Sequence, residues 1–257
     1  MSSAESSCPV CGYSGSKWII SRVIEGKLFT VRQCKVCDHG YMHPTPTTDL
    51  LSHLAPDYGL GIDNTISNRG AMNHFDHLFE VWINSHFPSQ DRSLLNITNE
   101  EGAFENVARK YGWNTTTLIF KDFVHLLAES SEQGGSKAEL LPDFNRRFNL
   151  VVLNHVFEHF FDPMKTLLAM VPWLNQNGHI LIIVPNFDSD EAKMDGHKWK
   201  YMSIPFHVNY FNKLSLDSLF TRRLAEKGLT FTKVFQTTFP PQGHREGEAI
   251  TTMYKLG

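Results

Sequence analysis

The sequence predicts an open α/β sheet with helices on both faces, preceded by a small cysteine-bearing module. From residue 93 onward, strand-like apolar segments alternate with helix-like segments, the order typical of a parallel sheet with helical connections. All four cysteines lie before residue 40, in two Cys-x-x-Cys pairs. We therefore expect a cysteine module over 1–43, a linker and helical cap over 44–90, and the α/β domain over 91–257.

Composition narrows the class of protein. A chain of 257 residues accommodates one large domain and a small one, and a hydrophobic share of 41% is ordinary for a globular protein. The net charge of -3 gives the chain no excess of positive charge of the kind that indicates nucleic-acid binding. The N-terminus lacks the pattern of a signal peptide, and apolar runs such as 180–184 are too short to span a bilayer. We expect a cytoplasmic protein with neither nucleic-acid nor membrane partners.

The strands are predicted from short apolar or β-branched runs bounded by turn residues. They are expected at 94–98, 115–120, 148–154, 179–184, 229–237 and 249–254. We expect about seven strands in all, mostly parallel. A loop rather than a long helix joins the last two, which predicts an antiparallel edge.

The helices are predicted from apolar spacing of three to four residues. They are expected at 74–87, 102–111, 123–129, 163–174 and 214–227. Pro163 suits the first turn of its helix, where a missing N–H costs little. Gly112 and Gly228 each follow a helical run and are expected to end it.

The cysteine spacing predicts a zinc ribbon. Cys8 and Cys11 form one knuckle, Cys34 and Cys37 form the other, and 18–32 can fold as a hairpin that brings the two together. Four thiolates complete a tetrahedral zinc site with no open position, so we expect a structural zinc. Disulfides are the alternative, which the spacing and a reducing compartment disfavour. The ribbon can also bind a protein partner or a substrate-carrying protein.

Two histidine-containing segments are candidates for chemistry. His155, Glu158 and His159 follow directly on a predicted strand, at the edge of a parallel sheet where such folds hold ligands. Their order, His-x-x-Glu-His, also occurs in inverted zinc peptidases, but here it falls on a strand-to-helix turn. His207 lies among aromatic residues. Either these histidines satisfy buried backbone groups within a packed lid, or they act on a substrate as base or ligand.

Four segments together resemble class I S-adenosylmethionine-dependent methyltransferases with an N-terminal four-cysteine ribbon. These segments are 37–46, 148–163, 174–186 and 207–211. The resemblance covers nearly the full length. It implies a Rossmann-like sheet, S-adenosylmethionine as cofactor, and a small-molecule or carrier-bound acceptor. In an active enzyme, Glu158, His159 or His207 would deprotonate or orient the acceptor atom.

The cofactor loop departs from the family pattern Asp-x-Gly-x-Gly-x-Gly. The aligned stretch, 96–102, keeps only Gly102, and Glu100 and Glu101 add negative charge where the cofactor's carboxylate is expected. The second strand ends at 117–120 without its usual acidic residue, and Asn149 replaces an aspartate. Carried over by position, the cofactor-binding residues are Asn96, Thr98, Gly102, Asn154 and His155.

Three hypotheses remain open from the sequence. The first is a methyltransferase that binds its cofactor through the altered loop. The second is a non-catalytic scaffold or binding subunit that keeps the fold and the ribbon. The third is a metal-dependent hydrolase that uses His155, Glu158 and His159, which a second metal ion would favour.

Overall fold

The computed structural model describes residues 7–58, 68–120, 146–239 and 246–257. The helix predicted over 123–129 lies outside these ranges. The described strands form two sheets, a small antiparallel one at the N-terminus and a larger mixed one. In the part of the chain that the structure describes, no helix is both long and apolar enough to cross a bilayer.

The small sheet contains the predicted hairpin. Strands β1 (Ser16–Ile24) and β2 (Lys27–Cys34) pair antiparallel, and β3 (Gly40–His43) pairs with β2. Glu25 and Gly26 both have positive φ, 48° and 72°, which is the conformation of a tight two-residue hairpin turn. A fourth strand, β8 (Asn209–Tyr210), comes from the far end of the chain and pairs with β3. The sequence did not predict this link.

The large sheet has six strands in the order β5-β4-β6-β7-β10-β9. Strands β4 to β7 are parallel to one another, whereas β10 runs antiparallel to both β7 and β9, as the short final connection predicted. Six strands stand among the described residues where about seven were expected. Their bounds are β4 Ser93–Thr98, β5 Asn114–Ile119, β6 Phe148–Asn154, β7 Leu174–Pro185, β9 Phe231–Phe239 and β10 Ala249–Leu256.

Both faces of the large sheet are buried, because alternate residues of each strand enter different cores. On β6, Val151 and Leu153 belong to one core, while Leu150 and Val152 belong to the other. The first core also takes in the four cysteines, and the second packs against the cap helices. This arrangement is the doubly wound, Rossmann-like sheet that the alternation of strands and helices predicted.

The helices begin at recognisable caps. The carboxylate of Asp162 accepts a hydrogen bond from the Lys165 amide, and Pro163 occupies the first helical position. Gly112 and Gly228 have positive φ of 79° where the preceding helical segments end. The helices are α1 Thr48–Tyr58, α2 Asn68–His77, α3 Ala103–Lys110, α4 Pro163–Met170, α5 Asp190–Asp195 and α6 Lys213–Asp217. Leu78–Ile83 and Ser218–Arg223 continue α2 and α6 as π-helical turns.

A third apolar cluster joins the ribbon to the chain between β7 and α6. Phe29, Val31 and Met42 from the ribbon strands pack with Trp199 and Val208, among others. These residues are almost fully buried, so they stabilise the contact by the hydrophobic effect. The segment that carries His207 is therefore held between the ribbon and the large sheet.

Candidate functional site

The parallel strands end along one edge of the large sheet. Thr98 at the end of β4 pairs in register with Ile119 at the end of β5, and Asn154 at the end of β6 pairs with Ile183 of β7. The loops that follow these strands therefore meet at the same edge. Ligands bind at this edge in open α/β sheets, so the candidate site lies here.

His155 makes the turn out of β6. Its φ is +50°, a left-handed conformation that is unusual for a residue other than glycine. The His155 amide donates to the Ile183 carbonyl at 2.9 Å, and its carbonyl accepts from the Asn99 side chain at 3.3 Å. The surrounding loops thus hold a strained backbone at the site, which is where such strain is usually found.

Three of the predicted catalytic residues come together. Glu158, His159 and His207 each offer one ligand atom, and these atoms lie within 4.8 Å of one another. Glu158 and His159 belong to a 3₁₀ turn, Phe157–His159, and His207 comes from the segment before β8. The Val208 amide donates to the Glu158 carbonyl at 3.0 Å, which fixes the two segments side by side. His155 lies outside this group, although its Nδ1 is 3.8 Å from the Glu158 carboxylate.

Both histidines of this cluster have a defined orientation. His159 Nδ1 lies 3.0 Å from the Phe206 carbonyl oxygen, and His207 Nδ1 lies 2.9 Å from the Tyr201 carbonyl oxygen. A carbonyl oxygen only accepts, so each Nδ1 carries the proton and donates. The lone pair of each neutral imidazole is therefore on Nε2.

Electrostatics keeps Glu158 ionised. Burial disfavours the carboxylate, but the interactions with the His155 imidazole and with the nearby rings of His159 and His207 outweigh burial and lower the pKa of Glu158 to about 2. For His207, burial and the neighbouring His159 charge lower the pKa to about 3. Near neutral pH the cluster thus combines a carboxylate with a neutral imidazole at His207.

The loop after β4 is organised by Glu105. This buried carboxylate accepts hydrogen bonds from the Asn96 side chain at 2.6 Å and from the Gly102 amide at 2.9 Å. It thereby caps the first turn of α3 and fixes the end of the loop. The Asn96 Nδ2 group donates to Glu105, while the buried Asn96 Oδ1 has no hydrogen-bond partner among the described residues. Thr98 donates to the Glu100 carbonyl at 3.1 Å.

Space remains beside this loop. A Cβ atom built on Gly102 meets no atom within 4 Å, and the Gly102 backbone is extended. The Glu101 carboxylate pairs with Arg109 on the exposed side of α3, and Glu100 is exposed. At the end of β6, Asn154 Oδ1 is buried and has no hydrogen-bond partner among the described residues. These features leave room and an unpaired acceptor at the end of β6 for a ligand.

The four cysteines form a compact buried cluster. Their sulfur atoms lie within 4.8 Å of one another, with Sγ–Sγ distances of 3.7 Å for Cys8 and Cys37 and 3.4 Å for Cys11 and Cys34. Gly12 follows the first knuckle with φ of +77°, a left-handed conformation that glycine adopts readily. The Val36 amide points at the Cys34 sulfur at 3.4 Å. Such a set of sulfurs suits a tetrahedral metal ion.

The ribbon is connected to the histidine cluster through hydrogen bonds. The Asn209 side chain bridges His39 Nε2, at 3.0 Å from its Oδ1, and the Phe160 carbonyl, to which its Nδ2 donates. The Met42 amide donates to the Val208 carbonyl at 3.0 Å. Strand β3 therefore supports the same segment that places His207 next to Glu158.

Three residues near the site were not identified from the sequence as part of it. Asn99 bonds the His155 carbonyl. His74 of the cap is half-buried against Phe239, and burial, with the charge of nearby His155, lowers its pKa to about 4. Phe120, at the end of β5, packs 5.4 Å from the His159 ring. Phe120 stands where an acidic residue was expected, and only its ring contacts reveal that it borders the site.

A doubly wound sheet with polar side chains gathered at the ends of its parallel strands defines a ligand-binding α/β domain. A family model described as "Methyltransferase domain" matches residues 7–223, and the chain belongs to this family. The match includes the ribbon and the histidine cluster. No curated protein matches the sequence significantly.

Solved structures with a similar fold are methyltransferases. The plantazolicin methyltransferase BpumL, in complex with a monoazolic desmethylPZN analog and SAH, is 12% identical with a TM-score of 0.50, covering 80% of this chain and 93% of its own. The mitomycin 7-O-methyltransferase MmcR is 12% identical with a TM-score of 0.51, covering 82% of this chain and 61% of its own. At this identity the likeness concerns the fold alone.

Proposed function

We propose that the protein is an S-adenosylmethionine-dependent methyltransferase that acts on a small-molecule or carrier-bound acceptor. The observation that carries the proposal is the cluster of Glu158, His159 and His207 at the strand edge, beside the loop after β4. Membership of the methyltransferase-domain family supports it. So does the presence of SAH in the complex of BpumL, which has a similar fold.

The proposed cofactor site lies between the β4–α3 loop and the end of β6. The open space beside Gly102 and the unpaired Oδ1 of Asn154 fit a ligand there. Thr98 and His155 border the same edge, and Asn96 acts through Glu105 by holding the loop. The pairing of Glu101 with Arg109 directs that carboxylate along α3, which reduces the charge conflict expected from the sequence.

In this proposal, the histidine cluster binds and orients the acceptor. When bound, S-adenosylmethionine supplies an electrophilic methyl group and leaves as S-adenosylhomocysteine. The acceptor atom must present a lone pair, so Glu158, His159 and His207 orient it and take its proton. Neutral His207, with its Nε2 lone pair fixed by the bond at Nδ1, is suited to orient the acceptor by accepting a hydrogen bond from it.

The cysteine cluster is proposed to hold one structural zinc ion. Metal analysis of the purified protein should give about one zinc per chain. A value near zero, with no thiols titratable after unfolding, would contradict the ribbon, because the cysteines would then be oxidised.

The proposal is tested by calorimetric titration with S-adenosylmethionine and, separately, S-adenosylhomocysteine. Micromolar binding is expected for the native chain. The variant Gly102→Val should fold normally, because its Cβ meets no atom, but should lose binding because the new side chain fills the open space. Absence of binding to the folded native chain would overturn the proposal and favour the non-catalytic scaffold, in which the Asn96–Glu105 bond is merely structural.

A further inference from the structure

We infer that Glu158, His159 and His207 form a binding site for one divalent transition-metal ion, distinct from the cysteine cluster. Two independent observations point to it. The three side chains place one ligand atom each within 4.8 Å of the others. In addition, Oε2 of Glu158 is buried and has no hydrogen-bond partner among the described residues.

The unpaired oxygen indicates a missing partner. Glu158 is 3% exposed, and leaving a buried carboxylate oxygen unpaired is costly. Among the described residues, no lysine or arginine lies within ion-pair distance of the Glu158 carboxylate, and His155 Nδ1 lies 3.8 Å from its other oxygen, Oε1. A cation held between Glu158 and the two histidines would satisfy the unpaired oxygen, Oε2.

The two imidazoles are already arranged as metal ligands. Histidines that bind metals usually donate their other ring N–H to a carbonyl or carboxylate, which fixes the ring and the tautomer. His159 and His207 do so with the carbonyls of Phe206 and Tyr201. Their rings lie 4.8 Å apart at an interplanar angle of 77°, so the two Nε2 lone pairs can reach one ion after small side-chain rotations.

The donor set selects the class of metal. Two imidazoles and one carboxylate suit Zn²⁺, Fe²⁺, Co²⁺ or Mn²⁺ rather than Mg²⁺ or Ca²⁺, which prefer oxygen ligands only. Three protein ligands leave open coordination positions, unlike four thiolates. In a role that rests on the proposed function, an acceptor oxygen occupies an open position and loses its proton more readily there. Binding of the ion does not depend on that function.

The test uses Mn²⁺ as the probe on protein that carries one equivalent of zinc for the four cysteines, because Mn²⁺ competes poorly for thiolates and excess Zn²⁺ would compete for the two imidazoles. The electron paramagnetic resonance signal of free Mn²⁺ decreases as the ion binds, and its titration should give about one site per chain at micromolar to sub-millimolar affinity. Electron spin echo modulation of the bound Mn²⁺ should show coupling to imidazole ¹⁴N. Glu158→Gln and His207→Gln should each weaken binding at least about tenfold, since even outer-shell changes cost roughly 10–100-fold. His53→Gln, an exposed histidine of α1, is the matched control and should bind as the native chain does.

Two outcomes would overturn the inference: no Mn²⁺ binding to the native chain, or binding without ¹⁴N coupling. Both are measured on the native chain, so they stand even if the buried variants fail to fold. Titration with S-adenosylhomocysteine in parallel separates the two proposals. Cofactor binding without Mn²⁺ binding would contradict the proposed metal site alone. Mn²⁺ binding without cofactor binding would contradict only the proposed methyltransferase function.

Discussion

At the residue scale, Asn209 connects parts of the chain that are distant in sequence. Its buried side chain bonds His39 next to the last cysteine knuckle and the Phe160 carbonyl next to Glu158 and His159. Each of these partners is shielded from water, so solvent does not replace a hydrogen bond that is lost there. The amide is suited to this position because it donates and accepts at once.

Replacing Asn209 by alanine should therefore destabilise the protein. Both the His39 nitrogen and the Phe160 carbonyl would lose a buried partner, at a cost of about 2–4 kcal/mol in the free energy of unfolding. Urea denaturation measures this. Asn106→Ala, at an exposed position of α3, is the control and should change stability by less than about 0.5 kcal/mol. Equal stability of the two variants would show that the bridge contributes little.

A second residue-scale effect concerns pH. Burial of His179, together with the charges of Lys255 and His86, lowers the pKa of His179 to about 4 from 6.5. The unfolded chain then binds a proton that the folded chain does not, as pH falls below about 6.5. His179 should thus reduce stability progressively between about pH 6.5 and pH 4, by about 2 kcal/mol at pH 5.

The variant His179→Gln cannot titrate and should show a smaller loss of stability between about pH 7 and pH 5 than the native chain. Thermal denaturation at the two pH values gives the comparison. His197→Gln, an exposed histidine, should keep the full pH dependence. An unchanged pH dependence in His179→Gln would mean that His179 titrates normally.

At the element scale, the first turn of α3 determines the shape of the candidate cofactor loop. Glu105 lies on the first turn of the helix and faces the end of β4, where it accepts from Asn96 and from the Gly102 amide. Its acidic charge also suits the positive end of the helix dipole. One carboxylate therefore holds the loop in one conformation through two hydrogen bonds.

Glu105→Ala should release this loop. We expect affinity for S-adenosylhomocysteine to fall by about tenfold or more, because two hydrogen bonds to a charged group are lost, each worth roughly 1.5–3 kcal/mol. Calorimetry measures the affinity, and Asn106→Ala, at an exposed position of the same helix, is the control. Retained affinity in Glu105→Ala would exclude the loop from cofactor binding.

At the scale of the whole molecule, the ribbon and the α/β domain form one structure. The cysteines belong to the same apolar core as one face of the large sheet, and β8 completes the ribbon sheet. Arg222, from the π-helical turn after α6, also donates to the Cys11 carbonyl at 3.0 Å. The ribbon is therefore expected to stabilise the segment that carries His207.

Loss of the zinc ion proposed for the four cysteines should weaken metal binding at the histidine cluster. Cys34→Ser removes a proposed zinc ligand, so zinc content should fall from about one per chain towards zero. The melting temperature should fall, and Mn²⁺ affinity at Glu158, His159 and His207 should weaken. Val36→Ser, at an exposed position of the same knuckle, is the control. Unchanged Mn²⁺ affinity in zinc-free Cys34→Ser would show that the two sites are independent.

The amino-acid sequence by itself determined the two Cys-x-x-Cys knuckles, the ribbon hairpin and the doubly wound sheet with its antiparallel edge. These features depend on local signals: residue spacing, alternation of buried side chains as in 150–153, and glycines such as Gly112 and Gly228. The sequence also indicated Glu158, His159 and His207, although not that they share one cluster.

Only the tertiary structure decided which groups meet. It placed His207 beside Glu158 through a hydrogen bond between backbones, paired β8 with the ribbon, and directed Glu105 towards Asn96. These contacts join residues far apart in the chain, and no local pattern specifies them. They form because burying a polar group requires a partner, and the packed fold determines which partner is within reach.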